Sequence, residues 1–339
     1  MGKKITISEV ATELGVSKSA VSRAMNNSPG VSEPVKNRIL KYISEIGYRP
    51  NAIARGLSVG NMEVVALILS DIRNPFYADL AFFIQRKLSE NGYMLVIFNS
   101  ENNVKKEVEF IKHVIAANFA GLILLTARNQ AISDELKSSN MPIVLVNRML
   151  DAFDYQGDSV ILDNFKAGYI ATMHLIEYEF PRIAYIKGQN ESSASIQRYE
   201  GYKQAMNNYK IPIQDENILE TDLKMGTGYE LAKEYIKNLD HRAKGIVIGN
   251  DLTAIGFIEG CRESGIKVPE DISVVSFDNI SFASLYDIGL TTVDQHVEEM
   301  SEQAVRLMLK QLNDKNSKPE RVILDPKLII RKTTKRYSE

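Results

Sequence analysis

ELGVSKSAVSRAMNNSPGVS, residues 13–32, carries a glycine behind a short apolar segment, then Ser17-Lys18-Ser19 and Arg23. Working outward, Thr6-Ile7-Ser8-Glu9 just upstream has the S/T-x-x-E spacing of a capping box, so a helix begins there. Ile7, Val10, Ala11 and Leu14 share one face of that helix, and Gly15 ends it after about two turns. Ser17 can cap a second helix with Ala20, Val21 and Ala24 inward, leaving Lys18, Ser19, Ser22 and Arg23 on or near its outer face. After the Asn26-Asn27-Ser28-Pro29-Gly30 turn, Ser32 caps a third helix with Pro34 in its first turn. Val35, Ile39, Tyr42, Ile43 and Ile46 form its stripe, and Gly47 closes it.

Three short helices with a glycine turn between the first two make a helix-turn-helix arrangement. The second helix of such a unit enters the major groove with its N-terminal residues toward base edges. Arg23 suits paired hydrogen bonds to guanine, with Lys18 and Ser19 as longer and shorter donors. Ser17 and Ser22 suit phosphate oxygens. A small helical bundle with a solvated basic face fits the same spacing, and spacing alone leaves both readings open. Charge distribution separates head from body. The chain of 339 residues has a formal net charge of −2, but its first 60 residues hold nine Lys/Arg against four Asp/Glu. A polyanion responds to the local field of the face it meets, not to the total.

YRPNAIARGLSVGN follows. Asn51 can cap a helix over Ala52–Ser58, but two turns are marginal in water. Gly56 inside them adds roughly 1 kcal/mol of cost. The segment is either a plain linker or a hinge that folds against DNA.

From Met62 the chain alternates apolar runs (VVALILS, YMLVIFNS, GLILLT, PIVLVNR, then RIAYIKG, GIVIGND, ISVVSFDN) with amphipathic helical stretches. Continuous apolar strands alternating with helices predict parallel sheets covered on both faces. Two such series predict two doubly wound α/β subdomains. Ligands in such sheets bind beyond the carboxyl ends of the strands. The residues there include Asp71, Phe76 and Tyr77, Thr126, Asn147-Arg148, Asn190, Asn250-Asp251 and Asp278-Asn279. Capping explains any one of them singly. Converging on one cleft, they suit a small polar molecule. No phosphate loop, dinucleotide fingerprint, zinc-protease motif or nucleophile elbow occurs in a suitable context, and the four histidines are scattered. No cofactor, metal or catalytic constellation is expected. One cysteine, no apolar run near 20 residues and no secretory pattern point to a cytoplasmic protein.

The run ITISEVATELGVSKSAVSRAMNN, continued by VSEPVKNRILKYISEIGYRPNAIARGLSVG, resembles the headpiece of the lactose-repressor/galactose-repressor (LacI/GalR) family. The signatures V-S-x-x-x-V-S-R-x-x-N and G-Y-x-P-N-x-x-A-x-x-L carry it. The resemblance implies that Lys18, Ser19 and Arg23 read bases. It also implies that Asn51, Ala54 and Leu57 belong to a hinge helix entering the minor groove. It continues through NPFY, RYEGY, GND, DISVVSFDN and LTTVDQ, similar to an effector-binding core of periplasmic-binding-protein type. The implied organisation is a headpiece over 1–50, a hinge over 51–61, an N-subdomain over 62–162 with 292–320, and a C-subdomain over 163–291 with 321–339. By the same likeness Phe76, Asn147, Arg198, Asn250, Asp278 and Gln295 contact an effector, joined by Asp71 and Asn190 from the strand-end reading. Asn147 stands where family members often carry aspartate, which bears on the ligand's identity. No leucine-rich tetramerising tail follows DPKLIIRKTTKRYSE, so a homodimer is expected, with helix 76–91 near its interface. The function implied is a transcription regulator, most simply a repressor, binding palindromic operator DNA as a dimer and answering to a small effector, a sugar or sugar derivative. A sugar-binding or transport protein without DNA function is the competing reading, and an α/β enzyme using the cleft the weaker third.

Overall fold

The computed structural model describes residues 5–25, 27–47, 62–126, 130–150, 156–188, 192–314 and 316–337. Two units separate at residue 62, Met1–Met62 and Glu63–Glu339.

The first unit holds helices Ile7–Leu14, Lys18–Met25 and Glu33–Glu45. Thr6 and Glu9 form the reciprocal capping box, and Gly15 closes the first helix in the left-handed region at φ 64°. Ser17 caps the second helix by accepting from the Ala20 amide at 3.1 Å. Val10, Ala11, Val21, Ala24 and Ile39 are its buried centre. Five buried side chains make a small core, and residue matching between helices has to supply what area cannot.

The second unit is built on two six-stranded sheets. The strands are β1 (Met62–Leu69), β2 (Met94–Asn99), β3 (Phe119–Leu124), β4 (Ile143–Val146), β5 (Asp158–Leu162) and β6 (Ile183–Gly188). They continue as β7 (Ile218–Thr221), β8 (Gly245–Ile248), β9 (Ser273–Asp278), β10 (Thr291–Asp294), β11 (Arg321–Leu324) and β12 (Lys327–Ile329). One sheet runs β11-β5-β4-β3-β1-β2 and the other β12-β10-β9-β8-β6-β7. β10–β12 is antiparallel, and β1–β2, β4–β5, β6–β8 and β9–β10 are among the parallel pairs. β3, β4, β5, β8 and β9 are buried nearly throughout, which accounts for their lack of apolar–polar alternation.

The chain passes between sheets three times. The first passage lies at Asp163, which accepts from the Lys166 amide and caps helix Asn164–Glu177. The other two correct the expected boundaries. β10 pairs with β9, so residues 292–294 belong to the C-subdomain and the passage follows Asp294. β11 pairs in register with β5, Arg321 opposite Ser159, so residues 321–324 belong to the N-subdomain and the passage comes at Asp325-Pro326. In both cases the strand satisfies its backbone along a full neighbour before the chain leaves the sheet.

Two helix pairs on the C-subdomain approach at backbone distance. A Cβ at Gly168 would lie 1.9 Å from the Arg198 carbonyl oxygen, and one at Gly201 would lie 2.0 Å from that of Phe165. Helices Asn164–Glu177 and Ser193–Asn208 therefore touch main chain to main chain. Helices Met225–Ile236 and Asp251–Glu263 do the same through Gly228 and Gly256.

The C-subdomain also buries a histidine. His174 is 4% exposed, lies 4.2 Å from the Tyr178 ring and shares a 2.9 Å hydrogen bond with the Thr334 hydroxyl. Burial pulls its pKa down to about 4. A folded value below the unfolded one gives stability that is present above roughly pH 6.5 and is lost as pH falls toward the folded value. The expected loss is about 2.5 kcal/mol between pH 7.5 and 4.5. Urea melts of the wild type and His174→Gln at both pH values check this. The variant should lose less on acidification by about that amount, and equal losses would remove His174 from the account.

Candidate functional site

The helix Pro75–Glu90 starts where β1 ends, with Asn74 accepting from the Phe76 amide and Pro75 in its first turn. That capping points Phe76 and Tyr77 at the carboxyl ends of the strands. Phe76 is buried, and its ring meets Tyr77 edge-on at 5.1 Å. Both line an inner chamber of about 80 Å³ together with Asn147, Arg198, Asn250, Asp278 and Gln295. An outer chamber of about 310 Å³ opens beyond it, with Asp71, Thr126, Arg148 and Lys224 on its walls.

Beside the inner chamber five side chains close a ring, four of them lining the chamber. Arg198 donates from Nε to Asn164 Oδ1 at 2.9 Å, and Asn164 donates from Nδ2 to Asn147 Oδ1 at 3.2 Å. Asn147 donates from Nδ2 to Gln295 Oε1 at 2.8 Å, and Gln295 donates from Nε2 to Asp278 Oδ1. Asp278 meets the Arg198 guanidinium at 3.7 Å, which completes the circuit. All five are at most 6% exposed. Arginine can only donate and ionised aspartate can only accept, so these ends fix the orientation of all three amides between them.

The members come from separate places. Asn147 follows β4 in the N-subdomain, while Asp278 ends β9 and Arg198 sits in helix Ser193–Asn208, both in the C-subdomain. Asn164 and Gln295 follow the first and second passages between the sheets. The ring thus ties both subdomains and two of their connections.

Strained backbone sits beneath it. Asn147 has φ 52°, Asp278 φ 115° and Asn279 φ 52°. Such conformations persist where the surroundings over-determine them. Asp251, fully buried, does so by accepting from the Ser276 hydroxyl, the Thr292 hydroxyl at 2.7 Å and the Ile280 amide at 2.9 Å. Arg331 holds Asn279 Oδ1 at 2.7 Å. Burial raises the Asp278 carboxyl above the usual range, and the nearby Arg198 opposes the rise. Arg198 also packs over Phe277 at 4.6 Å and donates to the Gly249 carbonyl at 3.1 Å.

Six of the eight expected effector residues therefore share one chamber. Asp71 lies apart on the outer wall, tied to Arg73 at 2.7 Å, and Asn190 lies outside the described residues. Asn250 spends its amide as a helix cap, accepting from Thr253 and donating to the Leu223 carbonyl. Asn164, whose place at a helix start reads as capping, was not among the expected residues, and Arg148 was named at its strand end but not among the effector contacts. Their shared signal was position: both follow a strand of the first sheet.

In the first unit Ser17, Lys18, Ser19 and Arg23 are exposed and Ser22 is half-buried. Ser17 and Ser19 share a hydrogen bond at 2.9 Å, so the Ser17 hydroxyl is committed locally. Arg23 lies over the turn that follows: a Cβ at Gly30, where φ is 104°, would sit 3.0 Å from its Nη1. The hinge candidates Asn51, Ala54 and Leu57 lie outside the described residues.

Residues 6–51 match the profile of bacterial regulatory proteins of the lacI family, and residues 172–334 match a periplasmic binding protein-like domain. Catabolite control protein A of Priestia megaterium is 31% identical over 98% of this chain and 99% of its own length. The chain belongs to the LacI family of bacterial regulatory proteins. The transcriptional regulator DegA of Bacillus subtilis is likewise 31% identical, over 98% of both chains. A solved complex of the regulator CelR with cellobiose superposes with a TM-score of 0.73 at 26% identity, over 97% of this chain and 99% of that one. The lac repressor dimer bound to operator shares the fold, with a TM-score of 0.85 at 23% identity over 98% and 100%. The protein is thus a LacI-family transcription regulator with a periplasmic-binding-protein-like core, and its relatives are regulators rather than enzymes. No helix among the described residues is long and apolar enough to cross a membrane, and none of their His, Cys, Asp and Glu side chains group as a metal site.

Proposed function

We propose that this chain is a repressor that binds a two-fold-symmetric operator as a homodimer and takes a carbohydrate effector in the cleft. The buried ring carries this reading. It gathers alternating donors and acceptors beside the Phe76 and Tyr77 rings, the combination that suits sugar hydroxyls and the apolar side of a sugar ring. The cellobiose complex of CelR supports a carbohydrate, as does a LacI-family regulator from Enterococcus faecium with bound ribose.

Because the ring joins both subdomains and two passages between them, a ligand that opens it changes their relative orientation. Coupling of that kind is reciprocal, so operator and effector alter each other's affinity by the same factor. On the DNA side Arg23, Lys18 and Ser19 face bases, Ser22 faces a phosphate, Ser17 holds the start of that helix through its bonds to Ala20 and Ser19, and Asn51, Ala54 and Leu57 form a hinge folding in the minor groove. Self-association is supported by Phe82 on helix Pro75–Glu90 and by Met94 and Ile97 on edge strand β2, all exposed and apolar.

Gel-shift titration against operator fragments selected from random DNA tests the DNA half. Affinity should fall steeply and linearly with log salt, as counterion release requires. Arg23→Ala should weaken specific binding by about 1–3 kcal/mol while leaving the core's melting unchanged. A flat salt response, or an unaffected Arg23→Ala, removes the headpiece from DNA recognition.

A further inference from the structure

Among the described residues, the charges lining the cleft do not cancel. Arg73 pairs with Asp71 at 2.7 Å, Lys224 with Asp222 at 2.7 Å, and Arg198 with Asp278 at 3.7 Å. Hydrogen bonding from Arg73 holds the Asp71 carboxyl below the usual carboxylate range, so that pair stays ionised on both sides. Arg148 is left over. It lines both chambers, is half-buried, and among the described residues makes no ion pair. Its guanidinium donates to the Tyr77 hydroxyl at 3.2 Å and to the neighbouring Asn147 carbonyl at 2.6 Å, both neutral acceptors.

A further observation lies on the outer chamber. The helix Met225–Ile236 begins there, after Lys224, with no side-chain cap on its first amides. A Cβ at Gly226, in that first turn, would meet nothing within 4 Å. A guanidinium with no ion-pair partner among the described residues and helix amides without a side-chain cap, on one cavity, suit an anion with several acceptor oxygens. The chambers share Asn74, Tyr77, Arg148, Ser192, Leu223 and Asn250, so one molecule can occupy both.

We propose that the effector is an anionic carbohydrate, with hydroxyls in the inner chamber and a phosphate or carboxylate in the outer chamber against Arg148. The inference rests on the reading of the cleft as a carbohydrate site and adds the charge. Isothermal titration of the full chain tests it with a panel of aldopentoses and aldohexoses, their phosphate esters, their aldonic and uronic acids, and inorganic phosphate alone. For the sugars that bind, the anionic form should bind at least about tenfold tighter than its neutral parent. The ester and acid arms tell which anion the cleft takes.

Arg148→Gln should erase that preference, so that an anionic sugar binds the variant no tighter than its neutral parent does. Should the variant fail to fold, the wild type still answers: affinity for the anionic form should fall with added salt and that for the neutral sugar should not. Neutral sugars binding as tightly as anionic ones, or a preference that survives in Arg148→Gln, would overturn the proposal and leave a neutral carbohydrate site standing. Inorganic phosphate binding as tightly as the best ester would also overturn it, showing an anion site without a sugar. Silence across the whole panel would overturn the carbohydrate reading itself, and this inference with it.

Discussion

Arg198→Met is expected to destabilise the core by about 3–5 kcal/mol at pH 8 and to abolish effector binding. The methionine fills much of the volume but removes the cation beside Asp278 and the donors to Asn164 and Gly249. What remains is a buried carboxylate with the Gln295 amide on one oxygen. Burial already holds Asp278 above the usual carboxylate range with Arg198 in place, and without Arg198 the value rises further. A raised folded value gives stability that is full below the unfolded value and lost as pH rises through the folded one. The deficit of Arg198→Met should therefore shrink as pH is lowered from 8 toward 5, once the wild type's own change is subtracted. Adding Asp278→Asn removes the stranded charge. The double variant should recover stability to within about 1–2 kcal/mol of wild type while ligand binding stays lost. Chemical denaturation of the four proteins at two pH values checks the cycle. A double variant no more stable than Arg198→Met would show that the ion pair is not what the single change breaks.

Gly168→Ala is expected to cost about 3 kcal/mol, although alanine is normally the better helix former. The added methyl would stand 1.9 Å from the Arg198 carbonyl oxygen, a backbone atom that no rotamer change can move. Separating the two helices by over an ångström would carry Arg198 away from Asn164 and Asp278. Effector affinity should thus fall even in molecules that remain folded. Gly226→Ala is the stability control, since nothing lies within 4 Å of the new methyl there. It should be neutral or slightly stabilising. Thermal melts of both variants decide the point, and similar effects at the two positions would refute the close-contact account.

Much of this molecule is written locally. The Thr6–Glu9 box, Gly15 and the Ser17 cap act within one or two turns, so the headpiece helices are legible one by one. The long buried strands are legible because burial on both faces requires unbroken apolar runs. β7, β10, β11 and β12 are three or four residues each, and their identity depends on neighbours far along the chain. The subdomain boundaries depended on the same pairings and were misplaced with them. At the site, Asn147, Arg198, Asp278 and Gln295 were marked by strand ends and by family likeness. Asn164 became visible only when Arg198, 34 residues later, turned out to donate to it. Arg148 was in view beside Asn147, but that no described residue forms an ion pair with it is a property of the assembled cleft.

The ring of five side chains has a direction of travel. From Arg198 through Asn164, Asn147 and Gln295 to Asp278, every link gives a proton forward and none gives one back. A newcomer that slips into one link without disturbing the others must receive on one side and give on the other. A hydroxyl does both. A carbonyl or ether oxygen only receives, and an ammonium only gives, so either would force an amide to turn over and jam the next link against its neighbour. The cleft thereby sorts ligands by the grammar of their hydrogen bonds before shape is consulted. An aspartate at position 147 would rewrite that grammar at a single word.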